Sequence, residues 1–442
     1  MTDRFAICAD VGSTFTKAAV VDLDAGALVG SATRPTTSGT DVLHGLDAAV
    51  AAASAGLRAT GAKWLVCSSA GGGLRLGVVG YEPQVSAQAG RRVGLSAGAQ
   101  VAHVAAGRLT TASVARLRAA RPDVLLLVGG TDGGDGDVLS HNAARLAAAR
   151  VRVPVVVAGN VEVRADAAAV LAARGVPVVT ADNVLPRLGV LAPASARAAI
   201  REIFLRHVIG GKGLSRGRRF ASLVRAATPD AVLAAVELAA DSGLGDLLVV
   251  DIGGATTDVY SALTPDAEAL AGVRRQVAGV LWRSRTVEGD LGMRWSAPSV
   301  VAAAAVERLP VDEVLAAQAR LRAGDPGMLP VDAAGRAVDR RLATVAATVA
   351  VRRHARVDGE DGRDLRRVRL VVGSGGVLRH CPPGDAHEVL SAVVADHGGG
   401  WALPRAARTV VDVDYVLAAA GLLASEHPHA AAGLLRRHLA VG

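Results

Sequence analysis

Asp10 and Asp251 each stand at the end of an apolar run and open a turn of small and hydroxylated residues, a pattern that can hold phosphate. Around Asp251 the chain reads LLVVDIGGATTDVYS. Gly253 and Gly254 lack the Cβ that would keep a ligand off the backbone, Thr256 and Thr257 offer hydroxyls, and Asp251 and Asp258 are carboxylates able to hold a metal. Around Asp10 it reads AICADVGSTFTKAAVVDLD, where Gly12, Ser13 and Thr14 repeat the turn and Lys17 adds a positive charge. One such turn is weak evidence, because strand, Gly-Gly, strand also builds plain hairpins. Two copies, each with an acid at the end of the first strand, suggest two similar lobes with one anion between their turns. A third glycine turn, Gly373, Ser374, Gly375 and Gly376, follows the apolar run RLVV and says little alone.

The elements that must position these turns alternate between strand and helix. Strands are expected at 27–33, 64–67 and 76–79, and a helix at 41–55 behind a Thr40 or Asp41 cap. The run 64–67 opens on Ser68, Ser69, Ala70 and three glycines, which read equally as the wall of a nucleotide cleft or as a bend. From about residue 85 the texture turns helical. Then DVLLLV (123–128), a loop, a helix at 141–149, a strand at 153–158, a helix at 164–174 and a strand at 176–180 read as a βαβαβ unit with a parallel sheet. Its loop 129–137 has neither Gly-x-Gly-x-x-Gly nor a Walker lysine. Three acids there would repel phosphate, so it fits a metal or a partner better than a nucleotide.

Further on, a helix is expected at 193–208, a glycine hinge at 210–217, and a helix at 230–240 with Pro229 in its first turn. An Arg-rich strand is expected over 273–285. TVEGDLGMRWS (286–296) brings Glu288 and Asp290 around Gly289, which read as turn residues ahead of an acid–base pair. Helices at 298–323 and 336–356 would form a small cap, a helix is expected at 412–423, and His427 and His429 fall in a short tail.

Composition limits the function classes. The 442 residues are 51% hydrophobic but only 2% aromatic, and apart from Lys17, Lys63 and Lys212 the cations are arginines, so the net charge of +8 reads as codon bias. The clusters KGLSRGRR (212–219) and RDLRRVR (363–369) read as solvated surface. Scarce aromatics remove the stacking platforms of single-strand binders, so no nucleic-acid partner is expected. Cys8, Cys67 and Cys381 follow no metal or CxxC spacing and suit a reducing cytoplasm as buried small hydrophobes. The chain begins without a basic-then-apolar leader, and its apolar runs break before the roughly 20 residues of a membrane span. A soluble, cytoplasmic protein with no membrane partner is expected.

Taken together, DVGSTFTK, the TPDAVLAAVELAADSG helix leading into DIGGATTDV, and VVGSGG followed by DYVLAAAGLLA resemble the actin, heat-shock chaperone and sugar kinase superfamily of ATPases. The resemblance implies an α/β fold of two ribonuclease-H-like, actin-like ATPase lobes with ATP and Mg²⁺ between them. Gly12, Ser13 and Thr14, and opposite them Gly253, Gly254 and Thr256, would bind the phosphates; Gly373, Ser374, Gly375 and Gly376 would bind adenosine. Asp10 and Asp251 would hold magnesium through water, Lys17 would neutralise phosphate charge, and Asp258 would orient the attacking water. Two departures, Thr228 where the chaperones carry glutamate and Ala255 where they carry a third glycine, imply slow hydrolysis suited to a switch.

ADVGSTFTK, CSSAGGGL, LLLVGGTDGGDGD with HNAARLA, VVVAGN, DIGGATTDVYS and VEGDLGMR together resemble the accessory protein family of adenosylcobalamin-dependent glutamate (methylaspartate) mutase over nearly the whole chain. The implied organisation is a first ATPase lobe over 1–85, an inserted Rossmann-like α/β domain over 86–215, and a connecting helix with the second lobe over 216–442, including a helical cap at about 273–356. The implied function is an ATP-driven chaperone that helps the mutase exchange damaged cobalamin, with mutase subunits as partners and a homo-oligomer left open. Two other classes remain in view: a small-molecule kinase using Asp258 or Asp290 as base, and a nucleotide-switched scaffold.

Overall fold

The computed structural model describes residues 4–57, 59, 61–70, 74–209, 213–264, 282–356 and 363–440. The three glycines after Ala70, the start of the expected hinge at 210–212 and most of the expected strand at 273–285 lie outside the described residues. The chain divides into two compact units and is a mixed α/β protein, with three five-stranded sheets among the described residues.

The chain opens with β1 (Phe5–Val11), β2 (Phe15–Asp22) and β3 (Ala27–Pro35), then α1 (Val42–Ala53) and β4 (Lys63–Ser68). Asp41 caps α1 by accepting the Leu43 amide, and the helix buries Val42, Leu46, Ala49, Val50 and Ala53. The next run is β5 (Arg75–Gly80), α2 (Ser86–Ser96), β6 (Gln100–Ala106), α3 (Thr111–Ala119), β7 (Val124–Leu127), α4 (Asp137–Ala148), β8 (Val155–Val157), α5 (Val161–Ala172), β9 (Val178–Thr180) and α6 (Ala194–Ile203). A π-helical turn, Phe204–Ile209, follows α6. Then α7 (Arg219–Leu223) leads to β10 (Val224–Ala227), which runs into α8 (Thr228–Ala239).

These strands make two sheets, ordered β10-β4-β1-β2-β3 and β6-β5-β7-β8-β9. The second is parallel throughout, an order that doubly wound α/β proteins share. Its inner strands β5, β7 and β8 are buried on both faces. Leu125 and Leu127 of β7 pack with α3, α4 and α5 residues, while Val124 and Leu126 join a core with α2, α6 and the β1 sheet. Each such side chain contributes about 1.5–3 kcal/mol when fully buried. The strand expected at 76–79 lies inside this sheet as β5, upstream of the boundary expected at residue 86. Gly77 explains the fit: a Cβ there would come within 2.7 Å of Leu125 and 2.9 Å of Leu117. β6, inside the stretch expected to be helical, completes the edge.

The second unit is built on β11 (Leu247–Ile252), β12 (Thr257–Ala262) and β13 (Arg283–Glu288). Three helices follow, α9 (Ala297–Val306), α10 (Glu313–Gly324) and α11 (Ala333–Arg356), then β14 (Leu370–Ser374), α12 (Gly376–His380), α13 (Pro383–Val394), β15 (Arg408–Val411), α14 (Val416–Leu423) and α15 (Pro428–Leu439). The sheet order is β13-β12-β11-β14-β15. It repeats the order of the β1 sheet strand for strand: a hairpin whose first strand pairs in parallel with a later strand, and that strand with another. The helix expected at 412–423 begins at Val416 instead, because both Asp412 oxygens cap it, accepting the Val416 and Leu417 amides at 2.8 and 3.1 Å. His427 and His429 sit at the start of α15 rather than in a tail. Among the described residues, no helix is long and apolar enough to cross a membrane.

Candidate functional site

The two hairpin turns have the same wiring. The Gly12 amide donates to the Phe15 carbonyl at 3.1 Å, and the Gly253 amide donates to Thr256 at 2.9 Å. Both positions need glycine, since a Cβ would sit 2.8 Å from Phe15 O and 2.9 Å from Thr256 O. In register, Asp10 matches Asp251, Thr16 matches Thr257 and Lys17 matches Asp258. Thr16 and Thr257 are both fully buried, whereas Ser13, Thr14, Gly254 and Ala255 are exposed at the tips. Each turn therefore stands on an anchored threonine and presents a short, accessible stretch of backbone.

In the first unit Asp10 is the centre. It is 4% exposed, and its Oδ1 accepts the Thr228 hydroxyl at 2.5 Å while Lys17 Nζ lies 3.6 Å from Oδ2. Cys67 Sγ approaches Oδ1 at 3.6 Å from the adjoining strand β4. Burial, with Asp10 next to it, pushes the Cys67 thiol well up; burial alone takes Cys8 to about 12, so both cysteines are inert. Ser68 donates to the Val11 carbonyl and the Ser69 and Ala70 amides do the same, which ties the end of β4 to the start of the turn. By sequence Thr228 stands where the heat-shock chaperones carry a carboxylate; in the structure it donates to Asp10.

In the second unit Asp251 lies between Asp258 and Ser374 in register across three strands. Gly375, at φ +101°, lets the third glycine turn touch the end of β11: a Cβ there would lie 2.2 Å from Ile252 O. The Asp251 turn and the Gly373–Gly376 turn are thus brought together. Gly373 itself is buried against Leu378 and Leu390, whereas Gly376 is exposed with open space before it. Asp258 is ion-paired: Arg285 on β13 donates to its Oδ1 at 2.7 Å and lies over the Tyr260 ring at 5.6 Å. Burial raises the Asp258 pKa and Arg285 opposes the rise.

Glu288 and Asp290 both take bonds from Arg353 on α11, at 2.8 and 2.6 Å. Burial raises Glu288, while hydrogen bonds from Arg353 lower Asp290. Both acids of the motif are therefore arginine-bound, the arrangement of a strut. The loop 129–137 is tied mainly by side chains that follow β8 and β9: Asn183 donates to Gly130 O and Asp132, Asn160 to Gly134 O, and the Gly133 amide to Glu162. Among the described residues no group of three or more His, Cys, Asp or Glu side chains is placed to hold a metal.

The MutL protein family model matches residues 6–439 of this chain. Protein MutL of Clostridium tetanomorphum is 35% identical over 456 residues, covering 97% of this chain and 98% of that protein. Among solved structures, nucleotide-free acetone carboxylase overlaps at a TM-score of 0.40 with 15% identity, covering 95% of this chain and 70% of that one. Xylulose kinase from Bifidobacterium adolescentis overlaps at 0.33 with 14% identity, covering 99% and 94%. Overlaps of that quality bear on neither ligand nor activity. The sequence match spans both turns, the sheet between them and the second unit to its last helix: the chain belongs to the MutL protein family.

Proposed function

We propose that this protein is an ATP-driven accessory factor that reactivates an adenosylcobalamin-dependent glutamate (methylaspartate) mutase by promoting exchange of damaged cobalamin. The observation that carries the nucleotide part is the duplicated turn: two sheets of the same strand order, each with an acid, a glycine amide bonded back to the third residue on, and an exposed tip. On this reading the sheets are two ribonuclease-H-like lobes. Backbone amides of the turns cradle the phosphates as a nest does, Ser13, Thr14 and Thr256 add hydroxyls, and the Gly373–Gly376 turn meets the adenosine. The client is proposed from the mutase-accessory resemblance of the motifs, now joined by membership of the MutL family.

Asp10 and Asp251, hard oxygen donors at the ends of paired strands, fit magnesium, which keeps most of its water and needs only one or two carboxylates. Bound there, it would screen the phosphate charge. Lys17 and the Thr228 hydroxyl occupy Asp10 in this structure, so nucleotide binding has to redistribute these contacts, as suits a switch. Asp258, steadied by Arg285, is the carboxylate proposed to orient water. Because Asp258 and Asp290 are both bound by arginine, neither resembles the free base that a small-molecule kinase needs.

The test is to mix the protein with mutase inactivated by bound cyanocobalamin, then add coenzyme with and without ATP. Turnover should return only with ATP. Turnover that stays absent with ATP, or returns equally without it, sinks the reactivation reading.

A further inference from the structure

Between β13 and α9 the chain folds against the Gly253–Thr256 turn, just after Glu288 and Asp290, which sequence alone reads as turn residues. Met293 N donates to Gly253 O at 3.0 Å. Arg294 N and Trp295 N both donate to Gly254 O, at 2.8 and 3.0 Å. The Ser296 hydroxyl donates to Ala255 O at 2.8 Å, and Thr257 returns a bond to Leu291 O at 2.5 Å. Gly292 makes the fit feasible, because a Cβ there would fall 2.3 Å from the Ala255 carbonyl carbon. Three successive carbonyls of the turn are therefore bound on one side. Among the described residues the amides of Gly254 and Ala255 donate to none, which leaves them for a ligand.

Arg294 joins this segment to the helices. Its guanidinium donates to Met293 O at 2.9 Å, to Met328 O at 3.0 Å and to Asp339 of α11 at 2.7 Å. Asp339 is also held by Arg322 of α10 at 2.6 Å. All three charged side chains are at most 12% exposed.

We infer that the segment Leu291–Ser296 is a clasp that presets the glycine turn with its amides outward, and that Arg294 is its positioning residue, coupling the turn to α10 and α11. Donors fixed before the ligand arrives need no ordering when it binds, so the clasp raises anion affinity without touching the anion. The ligand part rests on the phosphate reading of that turn; the clasp itself does not.

Hydrogen exchange on the full chain, read by mass spectrometry with and without magnesium and ATP, tests both. Without nucleotide, Arg294→Met should speed exchange of the bonded amides at 253 and 293–295 at least tenfold. With ATP, affinity should fall at least tenfold, and the slowing of exchange expected in α10 and α11 of the unaltered protein should vanish. Arg294→Lys should restore neither, since an ammonium cannot reproduce the guanidinium fork. If Arg294→Met does not fold, Ser296→Ala, which removes a single hydroxyl, should give a smaller change of the same sign. Unchanged exchange at 253 and 293–295 in the folded variants would overturn the clasp, and restoration by lysine would overturn the role given to the fork. If the unaltered protein binds no ATP, the nucleotide reading falls, while the nucleotide-free exchange still decides the clasp.

Discussion

Thr228 shows how one hydroxyl changes the meaning of a site. Set beside the heat-shock chaperones, it is an absent carboxylate; in the structure it donates to Asp10 at 2.5 Å, within a buried group that also includes Lys17 and Cys67. Removing that donor takes a short hydrogen bond from a buried carboxylate oxygen, so Thr228→Val should lower unfolding free energy by about 1–3 kcal/mol, read from urea denaturation. No loss would show that the Asp10 oxygen is satisfied some other way. At the other turn, Gly375→Ala forces a Cβ toward Ile252 O at a φ of +101°. It should destabilise by at least about 1–3 kcal/mol of backbone strain and shift the thermal midpoint down. The turns after Asp10 and Asp251 were legible as turns, because glycines after an apolar run have a sequence signature. The hydroxyl bond from Thr228 was not, since its partner lies more than two hundred residues away.

At the scale of elements, the hairpins, α1, α4, α5 and α11 could be read from apolar periodicity. β6 and β10 could not. β6 is half exposed and carries only one buried residue, Ala105, and β10 is a short VRAA that continues directly into α8. The clasp escaped for a different reason: it acts through backbone amides on carbonyls, and side-chain type is silent about that.

One element contact has a pH signature. His354 of α11 is fully buried; Arg363 donates to its Nε2 at 2.8 Å, so the ring proton sits on Nδ1 and donates to Thr286 Oγ1 at 2.8 Å. Burial, with Arg363 as the lesser cause, holds its pKa well below 6.5. The unfolded chain takes up a proton below 6.5 that the folded chain refuses, so this stability is present above that pH and is lost as pH falls. Urea titrations across that range should show unfolding free energy dropping by up to about 1.4 kcal/mol per pH unit from this group. His354→Gln should flatten that part of the slope, and an unchanged slope would place the proton uptake elsewhere.

For the whole molecule, the duplication seen as two echoing turns extends to two sheets of the same strand order, with β4 and β14 as counterparts and with β10 and β15 each leading into a helix. That equivalence was only half legible, because the outer strand β10 has no apolar run to announce it. If both turns grip ATP, the ligand must stabilise the fold by linkage: about 2.7 kcal/mol at a hundredfold excess over the dissociation constant, visible as a rise in thermal midpoint that Asp10→Asn diminishes. The most direct test of that claim is a calorimetric titration with ATP and magnesium of the unaltered protein, Asp10→Asn and Asp251→Asn. Saturable binding that weakens at least tenfold, about 1.4 kcal/mol, in each variant is the predicted result. No binding to the unaltered protein, or equal binding to all three, would contradict it.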